Sequence, residues 1–163
     1  MQKLTTQKLT TMLCFNGRAE EAVNFYKQLF PGTTTGNELR AGDGGPAPKG
    51  TLITSSFNIF GQDFVALNFG PQGQFNESVS FVIPAETQEE IDRYWNALTA
   101  DGGQESMCGW CKDKFGLSWQ VTPPRLIELI TDKDPVKAGK AMQAMLKMKK
   151  IILADLEAAV SAA

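Results

Sequence analysis

Cys108-Gly109-Trp110-Cys111 is the stretch of this chain with the clearest spacing of a chemical motif. Two thiols three residues apart suit a redox couple or half of a zinc site. The redox use needs the first thiol at a helix N-terminus, where the dipole favours the thiolate. Here Asp113-Lys114-Phe115-Gly116 follows and reads as a hairpin turn, so no helix is expected after the pair. Zinc needs two further strong ligands, and Cys14 is the one thiol left. The chain has 3 cysteines and no histidine. Histidine is the commonest general base and transition-metal ligand, so a Ser-His-Asp triad, a Cys-His pair and a histidine-bound zinc are excluded within this chain. Carboxylates, lysine, tyrosine and cysteine remain. Glu20, Glu21, Glu89 and Glu90 fall at expected helix starts. Cys108 and Cys111 read as two small strand residues.

The elements that must position these groups come in a repeated order. Leu9 to Phe15 alternates as a strand, Met12 and Cys14 on one face and Leu13 and Phe15 on the other. A helix follows, its apolar stripe Ala19, Ala22, Val23, Phe25, Tyr26 and Leu29, stopped by Pro31-Gly32. Thr33 to Leu39 is a second strand, and Ala41 to Lys49 a Gly- and Pro-rich loop. Thr51 to Ile59 and Phe64 to Phe69 form a hairpin around Phe60-Gly61-Gln62-Asp63. Gly70 to Asn76 is a linker. The order then restarts. Glu77 to Ile83 is a strand; Thr87 and Glu90 make a capping box for a helix with the stripe Ile91, Tyr94, Trp95 and Leu98. Short strands follow near Met107 to Lys112 and Leu117 to Thr122. Beyond Pro123-Pro124 the chain turns helical, with a start at Asp134-Pro135. Met142, Met145, Leu146 and Met148 form one stripe there, and Ile151, Ile152, Leu156 and Val160 the last.

This duplicated strand-helix-strand-strand-strand order resembles the vicinal-oxygen-chelate superfamily, which includes glyoxalase I and antibiotic-binding proteins. Phe15-Asn16-Gly17-Arg18-Ala19-Glu20-Glu21-Ala22 with Asn24-Phe25-Tyr26 is similar to the first strand-to-helix step of that family. Phe64 to Pro71, Phe75 to Phe81, Cys108-Gly109-Trp110, Asp113 to Gln120 and Met142-Gln143-Ala144-Met145 resemble the PhnB-like branch. The resemblance implies an α+β fold of two βαβββ modules, about 9–70 and 76–123, with a helical extension at about 124–161, in a single domain over 1–163. The branch often carries a demethylubiquinone methyltransferase label. A class I methyltransferase opens with a strand and a glycine-rich turn into a helix, whereas Pro46 and Pro48 oppose a helix after Gly42-Asp43-Gly44-Gly45.

Metal-dependent relatives place His, Glu, His and Glu on four strands around a cup. Counting from Phe25 and Tyr26, the resemblance puts Thr11 at the first ligand position, Ala66 at the second with Asn68 two residues on, Ser78 at the third and Gln120 at the fourth. Transition metals prefer imidazole, thiolate and carboxylate to hydroxyl or amide. The expectation is therefore no metal and no cofactor. Thr11, Asn68, Ser78 and Gln120 would orient a small organic molecule by hydrogen bonds between walls of Trp110 and Trp119. The opposing reading is that these groups bond to one another or to buried water. Alternation turns Glu77, beside Ser78, away from the cup.

The chain has 163 residues and a net charge of -2, which gives no electrostatic footprint for nucleic acid. No apolar run is long enough to span a membrane, and the start lacks a signal peptide, so a cytoplasmic protein is expected. The expected function is small-molecule binding; the alternative is a metal-independent or divergent lyase, isomerase or dioxygenase-like enzyme. The apolar stripes of the tail must be covered, and a homodimer built partly on those helices is expected.

Overall fold

The computed structural model describes residues 9–68, 70 and 74–161. Phe69, expected to end a strand, lies outside these residues, as do the first eight. The chain divides into two compact units between Gln74 and Phe75. Each begins with the same order of elements, and each holds a four-stranded mixed sheet with a helix on one face.

In the first unit β1 (Thr11–Phe15) leads to α1 (Ala19–Leu29), then β2 (Thr34–Arg40), β3 (Leu52–Ile59) and β4 (Gln62–Asn68). The sheet order is β1-β4-β3-β2, with β1 parallel to β4 and the other pairs antiparallel. Successive strand residues point to opposite faces, so the register sorts the side chains. Thr11, Leu13 and Phe15 share a face with Phe64, Ala66 and Asn68 of β4 and with Ser55 and Phe57 of β3. That face packs on α1. Tyr26 of α1 stacks on Phe57 at 6.1 Å between ring centroids, and Phe57 on Phe64 at 5.2 Å. The other face carries Met12, Cys14, Val65 and Leu67, none of them fully buried. The Gly- and Pro-rich loop connects two antiparallel strands.

The second unit runs β5 (Phe81–Ile83), α2 (Gln88–Thr99), β6 (Gln104–Glu105), β7 (Trp110–Lys112) and β8 (Ser118–Val121), in the sheet order β5-β8-β7-β6. Thr87 caps α2 as expected, accepting the Glu90 N–H at 3.2 Å. The return bond of Glu90 goes to the N–H of Glu86 at 2.9 Å rather than to Thr87, so the box is shifted by one residue. The strand expected over 77–83 is shorter: Glu77 and Ser78 form a turn, held by Asn76 Oδ1, which accepts the Ser78 N–H at 2.9 Å. An asparagine folded back on its own backbone competes with a strand ladder.

Three helices complete this unit: α3 (Pro124–Ile130), α4 (Pro135–Met145) and α5 (Leu153–Ser161). Asp134 caps α4 through the Val136 N–H at 2.9 Å. The helices cover one another, with Leu126, Leu129, Ala141, Ile151 and Leu156 buried together and Met145, Met148 and Val160 packed around them. Part of the expected need for a covering partner is thus met within the chain. Ile151 lies ahead of α5 rather than on it, and is fully buried.

The segment between α4 and α5 is bound to the rest of the unit. Met148 O accepts the Cys108 N–H and Lys149 O accepts the Gly109 N–H, both at 2.7 Å. Gln88 of α2 donates to Ile151 O at 3.2 Å and accepts the Leu153 N–H at 2.9 Å. Lys149 pairs with Glu105 at 3.1 Å, and Lys150 with Asp92 at 2.7 Å. Gly109 is required at this crossing. Its φ is +82°, and a Cβ there would lie 2.7 Å from Val121 O and 3.2 Å from Ile151 Cγ1.

Candidate functional site

The open face of the second sheet gathers the polar groups. Trp110 of β7 lies opposite Gln120 of β8, and Lys112 opposite Ser118. Gln120 Nε2 donates to Ser80 Oγ at 2.9 Å, so the partner of Gln120 is Ser80 and not Ser78. Ser118, nearly fully buried, donates from Oγ to Asn76 O at 3.2 Å. Beside these groups lies a cavity of ≈140 Å³ lined by Glu77, Gln104, Glu105, Ser106, Trp110, Cys111, Lys112 and Ser118. Glu77 reaches Lys112 and forms an ion pair with it. The ammonium group holds the Glu77 carboxyl below the usual carboxylate range, first through the hydrogen bond. Sequence alternation had turned Glu77 away; the turn at 77–78 frees it from strand geometry and brings it to Lys112. Glu105 is already neutralised, accepting from Trp95 Nε1 at 3.1 Å and from Lys149.

The remaining candidates have other work. Trp119 is adjacent to Gln120 and so faces the opposite side of the sheet, with Phe81 at 5.6 Å. It is 3% exposed and donates from Nε1 to Asp113 Oδ2 at 2.9 Å, so it is not a wall opposite Trp110. Asp113, 2% exposed, also accepts the Phe115 and Leu117 N–H groups at 2.9 and 3.0 Å. One carboxylate thus builds the hairpin turn and fixes Trp119. Sequence reasoning saw the turn and missed the carboxylate, although an aspartate at a turn start is the signal for it.

In the first unit Thr11 and Ala66 stand on the face packed against α1. Asn68 accepts the Ala19 N–H on Oδ1 at 2.9 Å and donates to Leu52 O at 2.7 Å. It caps the helix and ties two strands. These positions therefore leave the open face by one residue of register, since a shift of one inverts every side chain. The open side of this sheet has instead a groove of ≈350 Å³ lined by Thr10, Thr34, Thr35, Gly36, Ser56, Phe57, Asn58, Asp63, Phe64 and Val65.

Neither face offers the donors of the superfamily's metal centre. Among the described residues no three of Cys, Asp and Glu converge to hold a metal. On the second sheet, the hydroxyl of Ser80 and the amide of Gln120 are poor matches for a transition metal. The thiols are no better placed. Cys108 sits in a turn with φ +59°, and Cys111 is buried on the strand that follows, its thiol pushed up to about 12 by burial first and by Asp113 second.

The family model described as 3-demethylubiquinone-9 3-methyltransferase matches residues 7–122. The chain is similar to the PhnB protein of Bacillus cereus, at 35% identity and a TM-score of 0.60, over 72% of this chain and 99% of that one. It is also similar to protein PA1353 of Pseudomonas aeruginosa, at 25% identity and a TM-score of 0.57, over 70% and 95% of the two chains. A fosfomycin resistance protein, FosX of Listeria monocytogenes, shares the fold at 15% identity and a TM-score of 0.52, over 77% and 97%. No curated protein matches. The matched family segment stops at residue 122, so α3, α4 and α5 lie beyond it.

Proposed function

The chain belongs to the 3-demethylubiquinone-9 3-methyltransferase family, the PhnB-like branch of the vicinal-oxygen-chelate superfamily, and on that premise we propose that it binds a small organic molecule on the open face of its second sheet, without a transition metal. The observation that carries this reading is the Gln120–Ser80 pair beside Trp110. An amide held by one hydroxyl keeps its carbonyl oxygen as an acceptor, next to a half-buried indole that offers an apolar surface. A few convergent polar groups against an aromatic wall suit recognition of a small molecule.

The family description is not a guide to the reaction here. Methyl transfer from S-adenosylmethionine in the class I manner uses a glycine-rich turn between a strand and a helix. Gly42 to Gly45 instead bridge the antiparallel strands β2 and β3. Binding without turnover is the simpler reading, because no histidine base is present. A homodimer in the cytoplasm belongs to the same proposal. Ile127, Val136, Met142 and Leu146 of the tail remain exposed and give a second copy apolar surface to cover.

Native mass spectrometry of the purified protein tests the binding reading. A stoichiometric small molecule, lost in Gln120→Ala and Trp110→Ala variants that remain folded, is the expected result. Release of a chemically altered product on incubation would make the protein an enzyme. Elemental analysis is expected to find well under one zinc, nickel or iron per chain, and about one tightly held metal would overturn the metal-free reading. Light scattering at tens of micromolar decides the dimer.

A further inference from the structure

We infer that the ligand of the second-unit cavity is a small organic anion, and that Lys112 is its anchor, with Glu77 occupying the anchor until the ligand displaces it. The inference rests on the binding reading and adds the charge class and the anchoring residue. Lys112 belongs to β7, a strand paired on both sides, to β8 and to β6. Its side chain is 28% exposed, against 64% for Glu77. The cation is thus built into the sheet, while its partner hangs from a turn at 77–78, where water competes for the carboxylate. An exposed carboxylate contributes little to such a pair and is displaced at small cost.

The charges around the cavity select the sign. Glu105, the other carboxylate of the lining, has both oxygens engaged, by Trp95 and by Lys149. Lys112 is therefore the cation of this cavity whose counterion can be exchanged. Trp110 lies one residue before the intervening Cys111 on the same strand, so it and Lys112 share a face. An anionic group on Lys112 leaves the body of the ligand against the indole. The cavity, ≈140 Å³, suits a small ligand rather than a large one.

Three probes of one shape and different charge test this on the full chain: benzoate, neutral benzamide and cationic benzylamine. The readout is the Trp110 indole N–H resonance, assigned by its loss in Trp110→Phe. Benzoate is expected to shift it saturably and the other two to leave it in place. Lys112→Gln weakens benzoate by about tenfold or more, the loss of a charge-assisted bond. Glu77→Gln, at an exposed side chain, tightens it by about two- to fivefold, since the competing carboxylate is gone. Benzamide or benzylamine shifting the resonance as benzoate does overturns the anion assignment and leaves the broader binding reading standing. Weaker benzoate binding in Glu77→Gln overturns the displacement, and undiminished benzoate binding in Lys112→Gln overturns the anchor. The co-purified ligand measured by mass spectrometry judges the broader reading separately.

Discussion

Asn68, the last residue of β4, caps a helix that lies far from it in sequence: its Oδ1 accepts the N–H of Ala19, the first residue of α1, at 2.9 Å. Arg18, the residue at the cap position, makes no side-chain bond to the leading N–H groups of the helix; its guanidinium pairs with Glu21 instead. The four leading N–H groups of a helix need partners, and here a neighbouring strand provides one. The same amide donates to Leu52 O, so α1, β3 and β4 meet at one side chain.

Asn68→Ala is expected to destabilise the protein by about 1–2 kcal/mol, the usual cost of a lost cap with a second bond removed. Asn68→Asp keeps the acceptor for Ala19 and should recover part of this. Urea unfolding of the three proteins measures it. A variant of unchanged stability that loses ligand would return Asn68 to the binding site.

Truncation after Ile130 is expected to unfold the second unit or drive it to aggregate. It removes the two 2.7 Å acceptors of Cys108 and Gly109 and uncovers Leu126 and Leu129. Gly109→Ala should act in the same direction, because its Cβ would meet Val121 O at 2.7 Å. Circular dichroism melts and gel filtration report the result. A truncated protein that melts as the full chain does would make the tail an independent appendage.

Cys111 is expected to be inert. A thiol pushed up to about 12 is almost wholly protonated at neutral pH, and the thiolate is the reactive form. Maleimide labelling of the native protein should therefore modify Cys108 or Cys14 well before Cys111, and Cys111→Ser should retain the fold. A reversible Cys108–Cys111 disulfide with a potential of roughly -120 to -270 mV would contradict this.

Acid should loosen the tail. Glu105 is lowered from its ordinary 4.5 by the hydrogen bond from Lys149 first, and Asp92 from its ordinary 3.8 by that from Lys150 first. A carboxyl whose folded pKa lies below its unfolded one stabilises fully above the unfolded value and less as pH falls through the folded one. The clamps thus hold above about pH 4.5 and weaken below it. Amide exchange of residues 148–153 should rise on acidification relative to α1, after correction for intrinsic rates. The Glu105→Gln and Asp92→Asn double variant should show the loosened exchange already at neutral pH. Equal exchange in wild type and variant at neutral pH would remove the clamps from the account.

The alternation in Leu9 to Phe15 put Leu13 and Phe15 together, and by the same rule Thr11 belongs with them. Counting to a metal position across Asn16-Gly17-Arg18 instead assigned Thr11 to the cup, and the structure has it on the α1 face. Trp119 and Gln120 are neighbours on one strand, so they could not both line one pocket. Those two corrections were legible in the period of the strands. Ser80 as the partner of Gln120, Asp113 as the partner of Trp119 and Glu77 as the partner of Lys112 were not.

The sequence by itself determined the order of the elements except for the two-residue strand β6 (Gln104–Glu105), which it missed, together with the caps at Thr87 and Asp134, the turn at Asp113 to Gly116 and a chemistry without histidine. Each of these is local: a period, a cap or a composition is complete within a few residues of chain. Only the tertiary structure decided which face of each sheet is covered and what covers the tail. A strand's two faces are equivalent until a register is set, and the register depends on residues far away in sequence. The apolar stripes after Pro123 called for a cover but carried no address. Three short helices wrapped on Ile151, with the backbone of Met148 and Lys149 bound to Cys108 and Gly109, supply much of that cover from within the chain.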